Sequence, residues 1–212
     1  MTPVILDWPA IAAVLSASAI GVAIPGANFV AIANKALAAS RREAVCMSFG
    51  FALVNCLWAV LGILGASALV ARYAWLGGAL KLLGCAYLMW FGLRLILVAP
   101  VSAPAIAAAT PMSRSIGRSA FRQGVALNIV NPKSLLYYCA FLSNVVPARV
   151  TGETATAMVF AVGACAVLWY SALGVLLSFP LVSARFRRSL VGINRACGVM
   201  LVALGLSELF GA

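Results

Sequence analysis

The sequence contains no histidine, and its 212 residues include only four acids, Asp7, Glu43, Glu153 and Glu208. Without histidine there is no imidazole proton relay, no His-ligated zinc or haem, and no Ser–His dyad. None of the four acids falls plainly inside a long apolar run, so an intramembrane enzyme has little to work with. A phosphate-cradling GxxxxGK[ST] loop is also missing, which removes that route to ATP hydrolysis. Six cysteines are present, mostly within apolar runs and without CxxC spacing. They fit small buried hydrophobes better than a disulfide framework or a metal site. The expectation is no enzyme, no cofactor and no metal.

What the chain has in excess is apolar surface: 65% of residues are hydrophobic and 9% charged. A soluble domain carries about a quarter charged residues, so the solvent for most of this chain is lipid. A hydrocarbon core of ~30 Å is crossed by about 20 apolar residues in a helix. Runs of that length cover residues 9–38, 44–71, 74–97, 121–146 and 154–181, and a last one starts near 189 or 194 and reaches the C-terminus. The runs are long and continuous, without the alternation of barrel strands. The predicted fold class is all-α, a polytopic membrane protein of about six transmembrane helices. The N-terminus has Asp7 in place of a basic n-region, so its apolar stretch is expected to stay as the first helix.

The net charge of +11 is spread in short clusters between the runs, not over a soluble basic face. That argues against nucleic acid as a partner and for cytoplasmic membrane loops. Lys35, Arg41 and Arg42 follow the first run, Arg94, Arg114, Arg118 and Arg122 the third, and Arg185, Arg187, Arg188 and Arg195 the fifth. The alternate loops carry only Arg72 and Arg149. Eleven basic residues against two place both termini outside the cytoplasm. Residues 100–113, rich in Pro, Ala and Ser, read as a loop. Arg114, Arg118 and Arg122 recur every four residues, as on a short interfacial helix or in a solvated basic loop.

The two halves echo one another. Pro25 interrupts the first run and Pro132 the fourth, 107 residues apart. Gly84 and Gly92 after Lys81 match Gly198 and Gly205 after Arg195, at offsets of 114 and 113. Three helices per half is an odd number, so the second half would sit inverted, as in many secondary transporters. The expected organisation is a first three-helix repeat over 1–98, a cytoplasmic linker over 99–120 and a second repeat over 121–212.

Helix breaks at matching positions point to a binding site, because freed backbone groups are tolerated in lipid only inside protein or at a cavity. Asn131-Pro132-Lys133 reads as a helix start, with Asn as N-cap, Pro at the first helical position and a full positive charge beside them. A carboxylate is the natural guest. Lys133 lies about a dozen residues inside its run, too deep for easy snorkelling. Pro25-Gly26-Ala27-Asn28 is the matching element, with Asn28 able to donate and accept. Asn55 and Asn128 also lie at membrane depth, where interhelical hydrogen bonding is the default role. Lys81 is the other intramembrane charge. Tyr87 and Trp90 read as packing or interface residues.

With these residues in view, the chain resembles the lysine exporter (LysE/RhtB) family of amino-acid efflux permeases. The resemblance covers nearly the whole chain. It rests on Pro25-Gly26-Ala27-Asn28, Ser40-Arg41-Arg42-Glu43-Ala44 with Gly50, and the stretch from Lys81 through Gly84 and Tyr87 to Gly92. It continues with Phe121-Arg122-Gln123-Gly124, Asn128 and Asn131-Pro132-Lys133. Where the family often reads Pro-Gly-Pro-Asp or Pro-Gly-Pro-Asn, this chain has Ala27 and Asn28, so no acid stands at the first break. The resemblance implies a small inner-membrane permease that exports amino acids or close derivatives, driven by proton motive force and assembled as a homo-oligomer.

The expected function is therefore a secondary transporter exporting amino acids or related small metabolites. Its substrate carboxylate would be held by Lys133 and the helix start at Pro132, with Pro25, Gly26, Asn28, Asn128 and Asn131 completing the site. The expected partners are that small molecule and the lipid bilayer. Two alternatives are a non-transporting subunit or scaffold of a larger complex, and a passive channel.

Overall fold

A computed structural model of the chain describes residues 6–38, 40–65, 74–97, 116–138, 145–147 and 150–210. Within them the protein is all-α: α1 (Trp8–Ala23), α2 (Ala27–Ala38), α3 (Arg41–Val60), α4 (Ala74–Leu97), α5 (Ile116–Ile129), α6 (Pro132–Leu136), α7 (Gly152–Leu177) and α8 (Pro180–Phe210). A π-helical turn, Leu61–Gly65, extends α3. The helix over 41–63 and α7 are each long and apolar enough to cross a membrane, and the pair α1–α2, bent by 63° at its break, makes a third such span. The chain is an all-α polytopic membrane protein.

Local chemistry sets the helix starts. Asp7 caps α1 by accepting from the Ala10 amide at 3.0 Å, and Pro9 sits in the first turn, where no donor is lost. Ser40 accepts from the Glu43 amide at 3.2 Å to start α3, and Glu43 reaches Lys35 at 3.4 Å across the α2–α3 turn. Thr151 caps α7 through the Thr154 amide at 3.2 Å.

The exposed face of α3, unlike that of a soluble bundle, is apolar too. Along α3, Phe49, Leu53, Leu57 and Leu61 form a stripe four residues apart and 44–54% exposed, the face a bilayer would cover. The inward face carries Phe51, Val54, Asn55 and Ala59, all at 2% exposure or less.

The extensive contacts are α4 with α8, α3 with α5, α3 with α7, and α7 with α1 and α2; α2 also packs on α3. Direction follows as well. Gly117 lies beside Cys46 and Gly50 beside the Phe121 and Val125 backbone, so α3 and α5 run parallel from one end of the bundle. The Asp7 amide donates to Thr154 Oγ1 at 3.3 Å, so α1 and α7 run parallel from the other end. α3 crosses α7 antiparallel, with Gly174 against Ala44, Ser48 Oγ 2.7 Å from Ser171 Oγ, and Gly163 against Cys56.

The sixth span differs from expectation. The hydropathy suggests a start near residue 189 or 194, but α8 begins at Pro180, directly after a turn at Ser178–Phe179. Arg185 and Arg188 therefore project from a helix and not from a loop. Arginine and leucine are strong helix formers, so the dip in hydropathy marks where the helix leaves apolar surroundings, not where it ends. In the same way α5 begins at Ile116, which makes Arg118 and Arg122 exposed residues of the fourth span's own helix rather than of a separate interfacial one. The expected loop 100–113, Arg72, Arg114, Arg149, Cys139 and the side chain of Lys81 lie outside the described residues. Cys46, Cys56, Cys165 and Cys197 form no disulfide among the described residues.

Glycines set the closest crossings. A Cβ on Gly92 would lie 2.6 Å from the Gly198 carbonyl oxygen, and one on Gly198 would strike the Gly92 carbonyl in return. Gly92→Leu is expected to force α4 from α8 and cost about 1–3 kcal/mol, read as a lower melting temperature in detergent. Gly78, on the same helix with nothing within 4 Å of a built Cβ, is the control: Gly78→Leu is expected to leave the melting temperature unchanged or higher.

Candidate functional site

α1 stops because Pro25 has no N–H to give. In an unbroken helix the amide of residue 25 would donate to the Gly21 carbonyl; here that acceptor is left over. Ile24 turns extended, its own amide still bonded to the Ile20 carbonyl at 3.2 Å. The chain resumes as α2, whose first bond runs from the Val30 amide to the Gly26 carbonyl at 3.0 Å.

The second break forms as the sequence suggests. Asn131 is the N-cap of α6, Pro132 opens the helix, and Asn131 Oδ1 accepts from the Lys133 amide at 3.1 Å. That bond uses the Lys133 amide, one of the backbone donors that an anion at the helix start would need.

The two breaks face each other and are joined by side chains. Lys133 Nζ donates to the Gly21 carbonyl at 3.1 Å and to the Ile24 carbonyl at 2.6 Å. The ammonium of one break therefore satisfies the acceptor that proline orphans in the other. The Phe91 ring of α4 lies 5.9 Å from Nζ, within cation–π range. Among the described residues no carboxylate pairs with Lys133. Gly26 lets the lysine pass, since a Cβ there would lie 3.3 Å from Lys133 Cδ.

Four asparagines form a continuous chain behind this contact. Asn131 Nδ2 donates to Asn28 Oδ1 at 3.0 Å, and Asn28 Nδ2 donates to Asn128 Oδ1 at 2.8 Å. Asn128 Nδ2 then donates to Asn55 Oδ1 and to the Phe51 carbonyl, both at 2.8 Å. All four are buried, at 0–6% exposure. The chain ties α2, α3, α5 and the cap of α6 together.

The structure thus brings together the residues of the two expected breaks and the asparagines near them, in two tiers. Gly26, Asn28, Asn131 and Lys133 line a small cavity, as does Asn55. Asn128 lies behind it with its amide fully engaged, and Pro25 contributes by what its backbone lacks. Gly21, Ser134, Tyr138 and Tyr170 also line the cavity and escaped the sequence reading. Ser134 and Tyr138 are four residues apart, on one face of the turn that follows Pro132, and that spacing was the available signal. Tyr170 sits among apolar residues of a charge-free span, and only packing reveals which way it points. Tyr137 donates to the Ala17 carbonyl at 2.5 Å, whereas the buried hydroxyl of Tyr138 has no partner among the described residues. The space is only about 10 Å³, room for about one water, so the site is filled by its own side chains.

The family model for the LysE type translocator matches residues 19–210, a stretch that includes both breaks and the whole asparagine chain. The chain belongs to the LysE type translocator family. It is similar to the threonine efflux protein of Escherichia coli (strain K12), 29% identical over 187 residues that cover 86% of this chain and 88% of the relative. The uncharacterized membrane protein YahN of the same organism is 24% identical over 197 residues, 88% of this chain and 82% of the relative. The chemotactic transduction protein ChpE of Pseudomonas aeruginosa is 33% identical over 116 residues, 55% of each chain. No solved structure matches the chain significantly.

Asn128 is the node of the buried chain, so Asn128→Leu strands Asn28 Nδ2 and Asn55 Oδ1 at once. Each buried group left unpaired costs about 1–3 kcal/mol. The expected result is a clear fall in melting temperature in detergent, larger than that of Asn55→Leu, which strands only one donor hydrogen.

Proposed function

We propose that this translocator exports amino acids or closely related small metabolites from the cytoplasm, with the substrate carboxylate held by Lys133 between the two broken helices. The observation that carries the reading is the partly buried Lys133, whose ammonium is held by uncharged acceptors at the meeting point of both breaks. A cation at membrane depth without a carboxylate partner among the described residues is costly and marks a site that an anion completes. Family membership and the threonine efflux relatives support the substrate class.

Asn28 and Asn131 line the cavity and turn polar edges toward it, with Asn128 fixing their orientation from behind. The protein alternates access by rocking one three-helix half, 1–98, against the other, 121–212, across residues 99–120. The closed cavity then corresponds to a state between the inward-open and outward-open ones. Both termini face away from the cytoplasm in this arrangement.

Export is tested by the extracellular amino-acid profile of expressing cells. Wild type is expected to accumulate one or a few amino acids outside, and Lys133→Ala at matched membrane levels to lower that efflux at least about thirty-fold, the equivalent of ~2 kcal/mol. Normal efflux by the variant would remove Lys133 from the site, and identical profiles for cells with and without the protein would remove the transport reading. Orientation is tested separately: a C-terminal alkaline phosphatase fusion is expected to be active and a C-terminal green fluorescent protein fusion dark.

A further inference from the structure

The Lys133 ammonium sits where a free cation from outside would also be welcome. Gly21 and Ile24 turn two carbonyls toward it from the C-terminal end of α1, a helix of sixteen residues whose C-terminus carries partial negative charge. Pro25 leaves the Gly21 carbonyl without its helical donor, and the Phe91 ring supplies an aromatic face on the far side. Two acceptors and a ring face form a receptor for a primary ammonium. The two bonds to Lys133, 3.1 and 2.6 Å long, show that it accepts one.

We propose that this carbonyl pair is the subsite for the substrate's α-ammonium, and that Lys133 occupies it as a tethered stand-in while no substrate is bound. The inference rests on the export reading and sharpens it. An incoming amino acid places its own ammonium on the Gly21 and Ile24 carbonyls and displaces Lys133. The displaced lysine then meets the carboxylate one carbon away. The backbone acceptors stay satisfied in both states, as a water-poor site requires. The net charge in the site is unchanged too, because a zwitterion adds one of each sign. The ligand class that follows is a molecule with a free primary amine next to its carboxylate.

The same geometry explains why the empty cavity is small. Lys133 fills the amine position from within, so space for substrate opens only as the lysine swings away. Gly26 is the residue that leaves room for that swing, with its absent Cβ 3.6 Å from Nζ. A bare monovalent metal cation is the other guest that backbone carbonyls accept. Two oxygens and an aromatic ring suit an ammonium better, since a hard cation prefers six or so oxygens, as the well-studied divalent ones do.

The test uses purified full-length protein in detergent and reads thermal stabilisation. The twenty common L-amino acids are screened first. For each that stabilises, the N-acetyl derivative and the 2-hydroxy acid of the same side chain are compared: N-acetyl-L-threonine and 2,3-dihydroxybutanoate for L-threonine, for example. The amino acid is expected to bind at least tenfold more tightly than either analogue. An analogue that binds within twofold of its amino acid overturns the subsite while leaving export intact. Absence of binding by every amino acid, together with unchanged efflux profiles, overturns the export reading itself. In a second arm, Lys133→Met vacates the carbonyl pair. Ethylammonium chloride is expected to stabilise that variant and not wild type, and sodium chloride at equal concentration to stabilise neither. Equal stabilisation of the variant by sodium would make the pair a metal-cation site and overturn the proposal.

Discussion

In the core of a bilayer, a backbone carbonyl without a donor has no water to turn to, and the centre of this protein is organised around two places where that problem arises. Pro25 withholds the donor that the Gly21 carbonyl needs, and Pro132 opens a new helix that needs a cap. Lys133, one residue into the second break, donates to the carbonyls of the first. Asn131 caps its own helix with Oδ1 and reaches Asn28 with Nδ2. Lys133 repairs the first break and is itself held there, so pulling the two apart leaves carbonyls and ammonium both unpaired.

The asparagine chain extends this mutual repair into the surrounding helices. Asn128 joins α5 to α3 through Asn55 and the Phe51 carbonyl, and Asn28 carries the connection to α2. Amides suit this role because each has both a donor and an acceptor, so a chain of them closes without a net charge. Hydrophobic attraction between helices is weak when the solvent is itself apolar. The bundle therefore depends on these polar links and on close approach at glycines such as Gly50, Gly92, Gly124 and Gly198. Glycine crossings hold the outer α4–α8 pair together, and amides hold the centre.

The pairing of helices gives the architecture a functional sense. Pairs that start from one end of the bundle, α3 with α5, have counterparts that start from the other, α7 with α1. The breaks belong to the first helix of each half and meet between the halves. Under the rocking proposed above, a site so placed changes the side it faces without either half refolding.

Much of this was legible from the chain. Composition established the membrane, periodic apolar runs established helices, and the two prolines located the breaks, because proline's missing donor is a covalent property that no packing can restore. The N-cap at Asn131 followed from local chemistry alone. Helix ends were less legible: α8 starts at Pro180 because helix propensity persists where hydropathy falls. What the tertiary structure alone decided is who meets whom. Lys133 and Gly21 are 112 residues apart in sequence, and Asn28 and Asn128 are 100 apart; nothing local specifies either contact. Tyr138 and Tyr170 enter the site only through helix rotation, which is set by side chains packing across the bundle. The sequence by itself determined where the backbone must be broken, and the fold determined which groups repair it, because a hydrogen bond between distant segments exists only after those segments are packed.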